Sequence, residues 1–258
     1  MAQIQKALLI DISMCIGCNA CQDGCKVANN LPAGEEKRLS PTAFTALEEH
    51  DGRWARRLCQ HCEEPTCVSV CPVGAFKKTA AGPVLYDAEK CIGCRYCMQA
   101  CPFRVPRYEW KSTHPRVRKC IFCSERLAKG MQTACAEACP TGATKFGDRD
   151  ALLQEAAHRI TAEPGKYVTK IFGQEDVGGT SVFYISPVPF EQMGFDNRLG
   201  NTPMPVLTMS AMSKIPNVVT VGAVMLGGVW WITNRREEVK KHEGSQKPGS
   251  THQNQDHQ

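Results

Sequence analysis

Beyond residue 139 this 258-residue chain has no cysteine, although the first 139 positions hold sixteen. Other absences narrow the chemistry further. Gly178 and Gly179 precede an apolar run in "VGGTSVFYIS", but neither G-x-G-x-x-G nor P-loop spacing is present, so no nucleotide loop is indicated. No C-x-x-C pair is followed by histidine: the next residues are Asn19, Gln22, Glu63, Arg95, Met98 and Ser124, so covalent c-type haem attachment is not indicated. The opening "MAQIQKALLIDIS" has no basic stretch leading into a long apolar run, and no secretory leader is expected from it. No poised acid–base pair stands out either. What is present is a chain long enough, and at 42% hydrophobic apolar enough, for one or two domains with a buried core.

The cysteines fall into four groups of four: Cys15, Cys18, Cys21, Cys25; Cys59, Cys62, Cys67, Cys71; Cys91, Cys94, Cys97, Cys101; and Cys120, Cys123, Cys135, Cys139. Disulfide-dense domains are usually short and secreted, and structural zinc typically uses two separated cysteine pairs, so neither suits this spacing. Cys91 to Pro102 match C-x2-C-x2-C-x3-C-P in full, the run that holds cubane [4Fe-4S] clusters. Cys15 to Cys25 match it except that Lys26 stands in the proline position, and the two stretched groups end on Pro72 and Pro140. Three thiolates from one tight loop grip three irons, and the fourth points toward a neighbouring cluster. Four groups therefore predict four [4Fe-4S] clusters, each with three local ligands and one borrowed. Each ligated cluster carries about 2−, which turns the formal +5 into about −3. The mildly basic balance is thus no sign of nucleic-acid binding.

Two echoes organise this region. "DISMCIGCNAC" at 11–21 resembles "DAEKCIGCRYC" at 87–97, and "CPVGAF" at 71–76 resembles "CPTGAT" at 139–144, as in a duplicated two-cluster ferredoxin unit. Short strands are expected at 6–12 and 84–87, a short helix after each third cysteine, and tight turns at Gly17 and Gly93. "FTALEEHDGRWARRLC" reads as a strand or hairpin. Arg104, Arg107, Lys111, Arg116, Arg118 and Lys119, with Tyr108 and Trp110 among them, read as cations that offset cluster charge or form a subunit surface. Lys119 and His61 are candidates for tuning cluster potentials; His50 and His114 read as polar surface groups. "DRDALLQEAAHRI" has helical periodicity with Asp148 or Asp150 near its cap. The proline-rich "PVPFEQMGFDNRLGNTPMPVL" is expected to drape over the cluster domain or a partner.

"IPNVVTVGAVMLGGVWWIT", residues 215–233, contains no charge. At 1.5 Å per residue it spans roughly 28 Å, close to the thickness of a bilayer's hydrocarbon core. Trp230 and Trp231 sit where aromatic belts form, and Ala223 with Gly227 makes a small-xxx-small pair that admits a close partner helix. Arg235, Arg236, Lys240 and Lys241 follow it, against Lys214 before it, which predicts a cytoplasmic C-terminus and a cluster domain outside. The fold expected is α+β: duplicated, nested ferredoxin-like two-cluster units with one C-terminal transmembrane helix. Its parts are a cluster domain at 1–147, a covering segment at 148–214, the membrane helix at 215–233 and a polar disordered tail at 234–258.

Taken in order, "CIGCNACQDGC", "CQHCEEPTCVSVCPVGA", "CIGCRYCMQACPFRVPRY", "CIFCSERLAKGMQTACAEACPTGA" and the terminal helix resemble the iron–sulfur beta subunits of membrane-bound formate dehydrogenases and nickel–iron hydrogenases, within the dimethyl sulfoxide reductase beta-subunit group. The resemblance covers almost the full length. It implies nested ligand sharing: Cys15, Cys18, Cys21 with Cys139; Cys120, Cys123, Cys135 with Cys25; Cys59, Cys62, Cys67 with Cys101; and Cys91, Cys94, Cys97 with Cys71. It further implies a non-catalytic electron-transfer subunit. That subunit would lie between a molybdopterin, tungstopterin or nickel–iron catalytic subunit and a cytochrome b or quinone-reactive subunit in a bacterial inner membrane, with the clusters on the periplasmic side. The alternatives are a reductase beta subunit fed by quinol and a non-redox structural scaffold.

Overall fold

The computed structural model describes residues 4–245. The chain forms two compact units, Met1–Leu207 and Thr208–Gln258. In chain order the strands are β1 (Lys6–Asp11), β2 (Ala46–His50), β3 (Arg53–Arg57), β4 (Phe76–Lys78), β5 (Val84–Tyr86), β6 (Arg107–Tyr108), β7 (Val117–Arg118), β8 (Thr144–Asp148) and β9 (Val182–Ile185). The helices are α1 (Ala20–Ala28), α2 (Thr66–Ser69), α3 (Tyr96–Ala100), α4 (Ser124–Ala128), α5 (Ala134–Glu137), α6 (Arg149–Ala162), α7 (Met204–Met212) and α8 (Ile215–Ser245).

A three-stranded sheet of order β8-β1-β9 carries the core, with β1 antiparallel to β8 and parallel to β9. β1 is the central strand and reads as a continuous apolar run because both its faces are covered. Leu8 and Ile10 join Val182 and Tyr184 on one face, packed with Leu47, Leu58 and Phe172; Ala7 and Leu9 join Phe183 and Ile185 on the other. That second face is covered by Leu152 and Ala156 of α6, one helical turn apart, and by Tyr167. Truncating one of these leucines to alanine costs about 2–5 kcal/mol. Asp11 ends β1 fully buried, accepts from the Ser13 amide at 2.9 Å and the Tyr167 hydroxyl at 2.9 Å, and pairs with Arg159 at 3.0 Å. The register Ile10↔Thr144 brings the start of the first cysteine group beside the end of the last.

The expected hairpin is β2–β3, closed by Asp51 and Gly52, both with left-handed backbone as two-residue hairpin turns require. β4 and β5 form a second antiparallel pair, and β6 and β7 a third. The proline-rich segment is anchored rather than merely draped: Phe190, Met193 and Phe195 enter the main core, and Phe195 meets Phe172 edge to face at 4.7 Å.

Proline sets the length of the helices in the cysteine region. α2, α3 and α5 stop two or three residues before Pro72, Pro102 and Pro140, whereas α1, with Lys26 in place of proline, continues to Ala28. Lys26 itself is buried, donating to the Gly34 carbonyl at 2.6 Å and pairing with Glu36 at 3.1 Å.

In the second unit α8 runs past the expected end at 233 to Ser245. The charged segment after the tryptophans is rich in helix formers, and Arg235 pairs with Glu238 one turn on, so nothing there breaks the helix. Residues 246–258 of the expected tail lie outside the described residues. Pro216 is tolerated because it occupies the first turn, and Thr220 and Thr233 return their hydroxyls to helix carbonyls at Pro216 and Val229. The helical stretch Met204–Glu243 is long and apolar enough to cross a membrane, and none of its apolar window is buried within the chain.

Candidate iron–sulfur centres

The cysteine loops share one backbone device. In the first C-x-x-C turn of each of the four groups the residue before the second cysteine has positive φ: Gly17 at 72°, His61 at 48°, Gly93 at 69° and Phe122 at 59°. This curl points successive backbone amides toward the inside of the loop. Glycine meets the requirement in two loops and also admits close neighbours: a Cβ on Gly17 would stand 2.3 Å from the Trp54 ring, and one on Gly93 3.0 Å from the Pro115 carbonyl. In the other two loops packing holds the strained residue. His61 and Phe122 are each 1% exposed and meet edge to face at 4.8 Å. His61 Nδ1 accepts from the Val84 amide at 2.9 Å, and burial, then the charges of Lys119 and Lys78, hold its pKa well below the ordinary value, so it is neutral.

Three cavities are each lined by four cysteines. One gathers Cys15, Cys18, Cys21 and Cys139; another Cys59, Cys62, Cys67 and Cys101; the third Cys71, Cys91, Cys94 and Cys97. The remaining four are Cys25, Cys120, Cys123 and Cys135, and Cys120 is pushed well up by burial and then by the charges of Cys25, Cys59, Cys123 and Cys135. Cys21 feels Cys135, Cys120 feels Cys59, and Cys67 feels Cys97. The sets therefore adjoin in the order Cys15 quartet, Cys25 quartet, Cys59 quartet, Cys91 quartet.

Burial, reinforced by mutual thiolate repulsion, pushes the Cys25, Cys67 and Cys97 thiols up to about 12. Cys91 and Cys139 are the exceptions. Burial raises them too, but polar groups that favour the thiolate outweigh it: the Tyr86 hydroxyl and the Val117 and Gly93 amides beside Cys91, and Thr144 and Thr141 beside Cys139. Sulfurs so placed stay protonated until a cation offsets their charge.

The donor set suits a cubane better than a single ion. Four thiolates on one zinc ion stand about 3.8 Å apart, from a bond of ~2.3 Å in tetrahedral geometry. Among the described residues no three His, Cys, Asp or Glu side chains converge as a lone ion requires. Amide donors reach the sulfurs directly: Ala75 to Cys71 at 3.2 Å, Phe122 to Cys120 at 3.3 Å and Thr144 to Cys139 at 3.4 Å. Such bonds favour the thiolate and are among a protein's levers on cluster potential.

A 4Fe-4S dicluster domain family matches residues 51–149. A protein of Nitratidesulfovibrio vulgaris is 36% identical over 254 residues, covering 92% of this chain and 69% of its own. The hydrogenase-2 operon protein HybA of Escherichia coli O157:H7 is 36% identical over 233 residues, covering 72% of this chain and 71% of the relative. The iron–sulfur subunit of the nitrate-inducible formate dehydrogenase of Escherichia coli K12 is 37% identical over 203 residues, covering 69% and 67%. The chain belongs to the family of iron–sulfur electron-transfer subunits associated with formate dehydrogenases and hydrogenases. As in that family, its role is electron transfer and it is not itself an enzyme.

Within this electron-transfer subunit Lys119 and His61, the candidates for tuning, both lie beside cysteines. Lys119 is 3% exposed and donates Nζ to the carbonyls of Val84 at 2.6 Å and Cys120 at 2.9 Å; His61 lines the Cys59 cavity beside it. His50 lies beside Glu48, and His114 is exposed. Sequence reasoning missed Arg56, which lines the Cys15 cavity, and Tyr86, whose hydroxyl lies against Cys91. A signal for Arg56 was present: in "RWARR" the period of two puts Trp54 and Arg56 on one face of β3, and Trp54 is the residue that covers Gly17.

Proposed function

We propose that this chain holds four [4Fe-4S] clusters and relays electrons between a catalytic subunit of formate dehydrogenase or hydrogenase type and a quinone-reactive or cytochrome b subunit in the membrane. The observation that supports the reading is three cavities each lined by four cysteines, which leave Cys25, Cys120, Cys123 and Cys135 as the fourth set. The ligand sets are Cys15, Cys18, Cys21, Cys139; Cys25, Cys120, Cys123, Cys135; Cys59, Cys62, Cys67, Cys101; and Cys71, Cys91, Cys94, Cys97. A cubane bound at each set supplies reversible one-electron storage, its potential set by burial, hydrogen bonds to sulfur and nearby charge. The chain's own work is to bind and orient: the curled loops present thiolates and amides, and the core behind them excludes water.

Two nested ferredoxin-like units account for the repeat. The first and second quartets flank the β1–β8 pair, the third and fourth flank β4–β5, and the left-handed positions Gly17 and Gly93 recur in register with the echoed sequence. The terminal quartets carry exposed apolar residues, Ile16 at one end and Ile92 with Tyr96 at the other, which suits docking of two different redox partners. The apolar helix anchors the chain by a single span, and the cations after it support a cytoplasmic C-terminus with clusters on the periplasmic face. The test is purification from membranes with bound partners, followed by formate- or hydrogen-dependent quinone reduction. Activity with one donor that is lost when this subunit is removed supports the relay. Full quinone reduction by partners lacking this subunit overturns it.

A further inference from the structure

Among the described residues five Asp, Lys and Arg side chains are buried: Asp11, Lys26, Arg56, Lys119 and Asp176. Three of them meet an opposite charge: Asp11 meets Arg159 at 3.0 Å, Lys26 meets Glu36 at 3.1 Å, and Asp176 meets Lys170 at 2.7 Å. Arg56 and Lys119 have no carboxylate within ion-pair distance among those residues. Arg56, 2% exposed, donates Nε to Thr45 Oγ1 at 2.8 Å and Nη1 to Thr144 Oγ1 at 3.0 Å. Lys119 has the carbonyls of Val84 and Cys120, and stands over the Phe76 ring at 5.7 Å. Neutral oxygens satisfy the donors without offsetting the charge. An unpaired cation in a dry interior is strongly disfavoured.

What faces these two cations is sulfur. Arg56 lines the Cys15 cavity together with Cys21, and the charges of Cys135 and Cys21, one from each of the first two quartets, favour its charged form most. Thr144 ties it there, accepting from Arg56 through its hydroxyl while its amide donates to Cys139. Lys119 lines the Cys59 cavity and bonds the carbonyl of Cys120, so it stands between the second and third quartets. The Cys91 cavity has no buried cation in its lining.

We infer that Arg56 and Lys119 are fixed internal counter-ions, one between the Cys15 and Cys25 quartets and the other between the Cys25 and Cys59 quartets, and that they raise the midpoint potentials of the clusters held there. The inference rests on the four-cluster reading. Reduction adds one negative charge to a cluster. A cation fixed beside it in a low-dielectric interior stabilises the reduced form, and the effect fades with distance. The Cys25 quartet, touched by both cations, gains most, and the Cys91 quartet least.

The test is a potentiometric titration, followed by electron paramagnetic resonance, of the anaerobically purified complex, with each signal assigned by a ligand variant. Arg56→Gln keeps hydroxyl contacts but removes the charge, and Arg56→Lys keeps the charge; Lys119→Gln and Lys119→Arg form the second pair. Expected is a downward shift of the Cys15 and Cys25 midpoints in Arg56→Gln, a downward shift of the Cys25 and Cys59 midpoints in Lys119→Gln, the smallest shift at the Cys91 midpoint, and near wild-type values in both charge-keeping variants. Fully loaded variants with unmoved midpoints overturn the counter-ions while leaving the four clusters standing. Equal shifts in the charge-keeping variants show a merely structural role and overturn them too. Fewer than four clusters in the wild-type chain overturns the reading beneath both. Should Arg56→Gln fail to load, the Lys119 pair decides.

Discussion

Cys21 and Cys25 are one helical turn apart on α1, yet they face different sulfur sets: Cys21 shares a cavity with Cys139, and Cys25 neighbours Cys120, Cys123 and Cys135. Replacing Cys21 and Cys139 by alanine, singly and together, should therefore disturb one cluster only. Each cubane holds about a quarter of an expected ~16 irons, so the loss is at most about four irons per chain, and about one if a three-iron form survives. The double variant loses no second cluster, because both substitutions strike the same site and couple fully. Cys21→Ala combined with Cys25→Ala, by contrast, disturbs two clusters and up to about half of the iron. Iron and acid-labile sulfide assays give the amounts, and electron paramagnetic resonance gives the number of altered signals. If Cys21→Ala with Cys139→Ala altered two signals, and Cys21→Ala with Cys25→Ala only one, pairing would follow sequence neighbours and the nested reasoning would be refuted.

Other predictions follow from the same geometry. Gly17→Ala places a Cβ against Trp54 on a backbone at φ 72°, and should cost about 2–4 kcal/mol from strain and overpacking while depleting the Cys15 cluster first, as read by unfolding and iron content. In the iron-free chain, burial raises Cys25, Cys67 and Cys97 from 9 to about 12, so the folded form holds more protons than the unfolded form between those values. Its stability should fall as pH rises from about 9 toward 12, whereas rising stability over that range in denaturant titrations would contradict the burial of these sulfurs. A chain ending at Leu207 should leave the membrane fraction after a high-pH wash that retains the full chain, and equal retention would show that α8 is not the anchor.

Much of this was legible because cysteine spacing is so constrained. The loops at Cys15 and Cys91, the turns at Gly17 and Gly93, β1, the β2–β3 hairpin and α6 all follow from local pattern. The anchoring of the proline-rich segment was not, because Phe190, Met193 and Phe195 have no periodicity and take their burial from Phe172 and Tyr184 across the core. His61 and Phe122 were hidden for a similar reason: nothing local announces a left-handed residue that is neither glycine nor asparagine, and only their mutual packing holds it. Arg56 is one of three arginines in "RWARR". Its burial is visible only once the hairpin is laid against the first cysteine loop. The helix runs beyond 233 because charge marks the edge of a membrane span but does not end a helix.

The most direct measurement is the iron and acid-labile sulfide content of anaerobically purified, full-length protein, normalised per chain and paired with the count of reducible clusters. The account predicts about sixteen of each and four one-electron acceptors. About eight of each, or zinc in their place, would contradict it.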